Sequence, residues 1–530
     1  MTTQLRSTPK IFTLFALLLF SSISFADSLL LRGNGAEPET LDIHKSSGVP
    51  EANIQRDLFE GLITENAKGE LSPGVAKEWR VDESGKVWIF ELRKDAKWSN
   101  GDSVTAKDFV FAMQRAVDPA TASEYAFILW PLLNAKAINK DKTKDVGELG
   151  VTAIGDFQLK IELENPTPFL TGLLSHHMAF PLHKASLEKH GKRWTRPNNM
   201  VSNGAYQLVE WMPQSHVLLK KNPYFHDAIN VALESVKYFP SEDQNAALKQ
   251  FRAGELDVTA DVPSSQIDWV KKNLPESFRN SSYIGTYYLA VNLEKAPFKD
   301  QLALRRALSL AINRKILTEK VTKGGEIPAM GWVPPGMNHY VSQSMEEASL
   351  PFKEQLAKAK ALFAKAGYSK SNSLEIELLY NTSENHKKVA IAVAAMWKQA
   401  LGVKTKLRNE EWKVYLNSRT QRQFEVIRAG WIGDYNDASN FLDLFRSDVG
   451  TMNPSSWVNA DYDALMKQAE KETDVSKRSE LLQNAEKILL ADMPLIPIYH
   501  YTTQHLVSTK ITGWEDNVMD IHPTRFLQKK

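Results

Sequence analysis

The 530-residue chain contains no cysteine, which excludes disulfide stapling, thiolate nucleophiles and cysteine-ligated metal centres together. It has almost no excess charge, with 65 basic against 63 acidic residues. A binder of nucleic acid or another polyanion carries a basic surplus, so this balance argues against that class. Flexible linkers are missing as well: no Gly/Ser run, Pro-rich spacer, low-complexity tract or fixed-period repeat interrupts the sequence. The two to four domains that such a length suggests are therefore joined by ordered segments and can be discontinuous. The compact catalytic signatures HExxH, GxSxG and the P-loop do not occur, nor does a spaced Cys/His metal motif, which weakens the case for an enzyme. The apolar run from Ile11 to Phe20 is much shorter than the roughly 20 residues needed to cross a bilayer.

That short run sits in a different context. Arg6 and Lys10 precede it and Ser24-Phe25-Ala26 follows as a small-residue cleavage site, so residues 1–26 read as a secretory signal with the mature chain starting at Asp27. The expectation is a periplasmic protein of a Gram-negative cell, not lipid-anchored, because no cysteine is there to take a lipid. Arg6 and Lys10 are the only charges in the leader, and the rest balances at 63 of each sign. Without disulfides, stability must come from a large core, which some 500 residues can supply. Aromatics make up 10% of the chain, with 13 Trp and 15 Tyr, enough to fill a core and still line a ligand cavity.

Strand-like and helix-like patterns interleave, so the fold is expected to be mixed α/β. Val87–Leu92 and Leu159–Leu163 read as strands, the latter by strict alternation. Thr105–Val117 reads as a helix capped by Thr105, with Asp108 three residues on and a stop at Asp118-Pro119. Further helices are expected over 300–321, 351–366, 386–401 and 460–490, with Gly367 and Gly402 as stop signals. Leu495–Tyr501 reads as a late aromatic strand that returns the chain towards the lobe where it began.

Two features invite chemistry and are read as structural. Gly33-Asn34-Gly35 resembles the start of a dinucleotide loop, but Pro38 stands where the third glycine should be, so a turn is expected. His176-His177 on a strand would point to opposite faces and chelate poorly, which leaves a structural or surface role. The segment Phe424–Asp437 is different. Arg428 falls inside an apolar run, where a charge needs a partner or a ligand. Gly430 permits close backbone approach and Trp431 can wall a pocket. Asp434 lies beyond the strand, up to roughly 20 Å from Arg428 if the chain is extended, the length of a short peptide with opposite charges at its ends. An internal salt bridge at a domain seam is the competing reading.

These and other motifs together resemble the periplasmic oligopeptide-binding proteins of the dipeptide, oligopeptide and nickel transporter cluster. They are Arg56-Asp-Leu-Phe-Glu-Gly-Leu62, Pro73–Trp79, Asp95–Gly101 with Val104–Phe109, Ser202-Asn-Gly-Ala-Tyr206, Leu378–His386 and Arg428–Asp434. The resemblance spans essentially the whole chain after the leader. It implies a two-lobed, three-domain, hinged α/β receptor. One lobe would comprise 27–60, 185–285 and 502–530, with 61–184 inserted as a small domain, and 286–501 would form the other. It implies that ligand backbone is held between Ser47-Gly48-Val49 and Gly430-Trp431-Ile432 by β-augmentation, which is indifferent to side chains.

The resemblance further implies that Asp434 takes the free α-amine of the ligand. Arg428 and His386 would meet its carboxylate at different peptide lengths, and Arg419 and Tyr125 would be a further cleft arginine and aromatic. Gly285 and Ile432 stand where many relatives carry a cysteine pair, and Thr322, between Lys320 and Lys323, stands where a carboxylate-holding lysine is usual. Both departures look like the branch that binds murein peptides, in which Arg419 would pair with the extra carboxylate of a γ-linked glutamate. The expectation is a monomeric receptor without catalysis, cofactor or metal, which passes short peptides to an inner-membrane ABC permease. The alternatives are a murein-tripeptide (L-Ala-γ-D-Glu-Dap) receptor, a haem or metal-chelate receptor and a periplasmic peptidase. A chaperone-like side activity is a further possibility.

Overall fold

The computed structural model describes residues 29–140, 145–369 and 371–530; the expected leader over 1–26 lies outside them. The fold is mixed α/β and is organised around three larger sheets. The first has four strands in the order Leu29–Gly35, Ser235–Pro240, His216–Lys221 and Tyr206–Met212. Its first pair is parallel and the others are antiparallel. The second is an antiparallel sheet of Ala76–Val81, Val87–Leu92, Gln158–Glu162 and Val151–Ala153. The third has six strands, ordered Ile327–Pro328, Leu495–Leu506, Phe278–Val291, Val426–Ile432, Glu375–Asn381 and Lys404–Glu410.

The chain thus starts in the first sheet, leaves for the second, returns, builds the third and comes back at its end. Lys529 Nζ closes that return, bonding Asp257 Oδ2 at 2.7 Å and the Leu29 carbonyl at 3.1 Å. Thr524 N donates to Asp57 Oδ1 and Arg525 pairs with Glu60 at 2.7 Å. The expected division points 285/286 and 501/502 fall inside two long antiparallel strands, Phe278–Val291 and Leu495–Leu506. Their pairing is interrupted between Ser282 and Thr286.

Local sequence explains most helices. Ala106–Val117 starts with a capping box in which Thr105 and Asp108 satisfy each other's backbone N–H groups, as the S/T-x-x-acid spacing requires. Phe352–Lys365 and Glu384–Leu401 end before Gly367 and Gly402, both at positive φ, where glycine carries no Cβ penalty. The core is as large as a disulfide-free chain needs. Trp98, Trp332 and Trp397 are fully buried, and the last two indoles donate to the carbonyls of Phe441 and Leu308. Truncating any one to Ala would cost about 3–5 kcal/mol.

Four expectations are corrected. The 300–321 helix is broken: Leu302–Leu310 stops, Asn313 caps a new turn, and Leu317–Thr322 is a π-turn. Buried Arg314 bonds the carbonyls of Ser309, Ile312 and Pro497, satisfying groups that the break leaves free. Burial pushes its guanidinium down to about 9. The 460–490 stretch is two helices, Ala460–Ala469 and Val475–Asp492, because Asp474 caps the second. Gly33-Asn34-Gly35 is the bulged end of the first strand, not a turn. His176-His177 lies at the start of a 3₁₀ turn, not on a strand, with both rings buried and 4.0 Å apart.

Candidate functional site

A cavity of about 380 Å³ is lined by the first and the six-stranded sheets, and every site residue expected from the sequence lines it: Ser47, Gly48, Val49, Tyr125, His386, Arg419, Arg428, Gly430, Trp431, Ile432 and Asp434. A larger space of about 880 Å³, lined by Trp130, Lys136, Arg446 and Asp448 among others, contains none of them.

The Val426–Ile432 strand supplies the densest part of the wall. On one side it pairs along its full length with Gly285–Val291. On the other, its parallel partner reaches only Val426 and Ile427, so the edge from Arg428 onward carries backbone groups with no strand beside them. Gly430 lies where backbone is closely approached, since a Cβ there would come within 2.5 Å of the Tyr501 hydroxyl. Gly285 and Ile432 are cross-strand partners.

Arg428 is buried, and its Nη1 and Nη2 donate to Asn381 Oδ1 at 3.0 Å and Tyr501 OH at 2.7 Å. Its guanidinium lies 4.6 Å from the Tyr287 ring centroid, a cation–π contact strengthened by desolvation. Arg419 projects from the Trp412–Thr420 helix with a buried Nε that makes no hydrogen bond. Among the described residues neither arginine forms an ion pair, which removes the salt-bridge reading of Arg428. Burial, and then the charge of Arg428, hold the His386 imidazole well below the usual histidine range, so it is neutral at pH 7. Thr322 lies off the cavity and donates to Glu326 at 2.7 Å.

Asp434 is placed by Asn440, whose Nδ2 donates to Asp434 Oδ2 at 3.1 Å and whose Oδ1 accepts from the Asp434 backbone N–H and the Trp431 indole, both at 3.0 Å. Across the cavity His176 Nε2 approaches Asp434 Oδ1 at 3.3 Å. Tyr125 lies between, stacked on Trp431 at 5.9 Å and on His176 at 5.5 Å.

Ser47-Gly48-Val49 departs from the expected strand. Gly48 is extended, but Val49 already begins the Val49–Leu58 helix, with Pro50 in its first turn. A Cβ on Gly48 would run into Glu51 and Trp412. Behind it, Glu51 Oε1 accepts from Glu39 N at 2.6 Å while Oε2 is buried without a partner. Burial pushes this carboxyl up to about 7.

Sequence reading missed His176, Asn381, Tyr501, Tyr287 and Asn440. Pairing of Arg428 with Tyr501 spans 73 positions, and no local pattern announces it. It also missed His505, Asp520 and His522, which converge on the cavity wall from separate segments.

Residues 70–453 match the family model for the middle region of bacterial extracellular solute-binding proteins, family 5. The chain belongs to that family. The family-5 chain is 41% identical over 491 residues to the periplasmic murein peptide-binding protein MppA of Escherichia coli, covering 92% of this chain and 90% of that one. It is 40% identical over 488 residues to the periplasmic oligopeptide-binding protein OppA of the same organism, covering 92% and 89%. The two-lobed periplasmic binding fold follows from a solved structure of E. coli MppA, with a TM-score of 0.92 at 40% identity over 94% of this chain and 98% of that one. The unliganded open form of MppA, also 40% identical over 95% and 97%, gives only 0.67. At equal identity, the lower score shows that this family-5 chain is nearer in arrangement to the first structure than to the open form. Lys136–Asp448 at 2.5 Å and the stacked Phe169–Tyr435 rings at 5.2 Å lie at the larger space. Among the described residues no helix is long and apolar enough to cross a membrane.

Proposed function

We propose that this chain is a periplasmic receptor for short peptides, working as a monomer without catalysis and handing its ligand to an inner-membrane ABC importer. The observation that carries this reading is an open strand edge over Arg428–Ile432 with a buried cation at one end and a carboxylate beyond the other. An extended peptide laid on that edge satisfies its own backbone groups by β-augmentation, so side chains need not be recognised. Its α-amine meets Asp434, a charge-assisted bond, and its carboxylate meets Arg428 or Arg419 according to length, with His386 beside Arg428. Tyr125 and Trp431 cover one flank, and Ser47-Gly48-Val49 closes the other.

In this reading residues 27–60, 185–285 and 502–530 form one lobe, 61–184 an inserted domain and 286–501 the second lobe. The pairing break between Ser282 and Thr286 is the hinge, and closure around ligand is the state the permease reads. The names of MppA and OppA both support peptide capture.

A second reading has one specific observation in its favour. Arg419 is a half-buried cation whose buried Nε has no hydrogen-bond partner and which forms no ion pair among the described residues, suited to a ligand with a carboxylate beyond its terminus, as in a murein tripeptide. Mass spectrometry of ligand released by denaturing protein purified from its own periplasm tests both. A ladder of unrelated short peptides is the expected result. A single diaminopimelate-containing tripeptide selects the murein reading, and haem or no peptide overturns the proposal.

A further inference from the structure

The cavity lining carries a second constellation that peptide capture does not use. His505 ends the Leu495–Leu506 strand region, while Asp520 and His522 lie in the closing loop. Their donor atoms all fall within 4.8 Å of one another. His505 Nε2 is 2.8 Å from Asp520 Oδ1 and 3.1 Å from Oδ2, and His522 Nε2 is 2.9 Å from Oδ1.

We infer that His505, Asp520 and His522 form a binding site for a divalent first-row transition ion, with zinc or nickel the best match. Two imidazoles converge on one carboxylate oxygen, whereas an ion pair needs only one of them. Donors about 2.0–2.1 Å from a tetrahedral ion stand roughly 3.3 Å apart, so each nitrogen–oxygen pair need open by only a few tenths of an ångström, while the two nitrogens already lie within 4.8 Å of each other. Mixed imidazole and carboxylate donors suit zinc, nickel or copper better than calcium or magnesium.

The surroundings hold the ligands in place. His505 Nδ1 faces the Thr259 carbonyl at 3.1 Å, the outer hydrogen bond that fixes a ligating imidazole and turns its other nitrogen to the metal. The Trp514 indole stacks on His522 at 3.7 Å and meets His505 edge-on at 5.4 Å, which restricts both rings. His522 Nδ1 is buried without a hydrogen bond, so the ring is not held there by a structural partner. All three residues and Trp514 line the cavity. Three protein donors leave a fourth position for water or for a donor on a captured ligand. The spacing 505, 520, 522 matches no sequence motif because one donor comes from the sheet and two from a loop.

This inference does not depend on the peptide reading, and the test separates them. Chelator-stripped full chain is titrated with zinc chloride by calorimetry in the absence of peptide. The expected result is one ion per chain, with affinity reduced at least ~10–100-fold in His522→Ala and in the isosteric Asp520→Asn. Cobalt(II) added to the wild type should give the visible absorption of a tetrahedral nitrogen–oxygen site, a readout that needs no variant to fold. Absence of stoichiometric zinc binding, or binding undiminished in both variants while their melting curves stay cooperative, would overturn it. Peptide affinity measured on the same samples shows separately whether the peptide reading stands.

Discussion

The two walls of the cavity are built differently. On the wall of the six-stranded sheet, Arg428 has its partners Asn381, Tyr501 and Tyr287 on other strands of that same sheet, so it is set before any ligand arrives. The facing wall is Ser47 and Gly48 running into a helix, backed by the buried Glu51, together with the 3₁₀ turns that carry Tyr125 and His176. Asp434 belongs to the first wall but touches His176 of the second. Strand geometry therefore fixes the charge positions, and the irregular wall supplies what comes and goes. The two walls meet where Asp434 approaches His176 and where Trp431 stacks on Tyr125.

The largest test of this contrast is Asp434→Ala. Leaving a buried ammonium unpaired costs about 3–5 kcal/mol, so calorimetry should show peptide affinity reduced at least ~100-fold with an unchanged melting temperature. N-acetylated peptide should bind wild type and variant equally poorly; retained affinity for free peptide breaks the assignment. Next is Glu51→Gln, which probes the irregular wall through pH. The native carboxyl keeps its proton up to about 7, whereas in the unfolded chain it ionises near the ordinary glutamate value of 4.5. The unfolded state therefore releases the proton first, and native stability falls as pH rises from 4.5 through 7. Melting curves should show the variant gaining on wild type across that window, by up to roughly 3 kcal/mol; a constant difference would mean that Glu51 is ionised throughout.

Arg428→Met should weaken binding by about 2–3 kcal/mol for peptides whose carboxylate reaches it, and amidating those peptides should cost the variant nothing more. If longer and shorter peptides lose equally, the arginine acts on the strand and not on the terminus. Smallest is His176→Ala, expected to weaken peptide binding by about 1 kcal/mol, a hydrogen bond's worth. Small-angle scattering should show its ligand-free form more open than wild type. An effect as large as that of Asp434→Ala would make the facing wall an anchor and erase the contrast.

Much of the first wall was legible because its signals are local. A charge inside the apolar run of 424–432, a glycine in mid-strand and an acid just past the strand end each announce themselves. The second wall was legible only through family likeness, and its backbone was misjudged: a strand was expected over Ser47–Val49 where Pro50 in a first turn begins a helix. The histidine pair was placed on a strand because period-two reasoning was applied to residues that lie in a turn. What remained hidden depends on distant segments meeting, as when His505 faces a carbonyl 246 positions away. Helix breaks at Asn313 and Asp474 were hidden for a different reason: their caps are ordinary polar residues within otherwise continuous amphipathic patterns.

The contacts of the last residues bear on the order of synthesis. Lys529 joins Leu29 and Asp257, and Thr524 N reaches Asp57, so the Leu29–Gly35 strand lacks part of its setting until residues 500 positions further on have been made. Loop closure over about 500 positions adds only slowly growing entropy once both ends exist, but it cannot begin before the second end does. A nascent chain therefore emerges with the surroundings of its first strand unfinished, in the state that a chain must keep if it is to be threaded through a membrane before it folds.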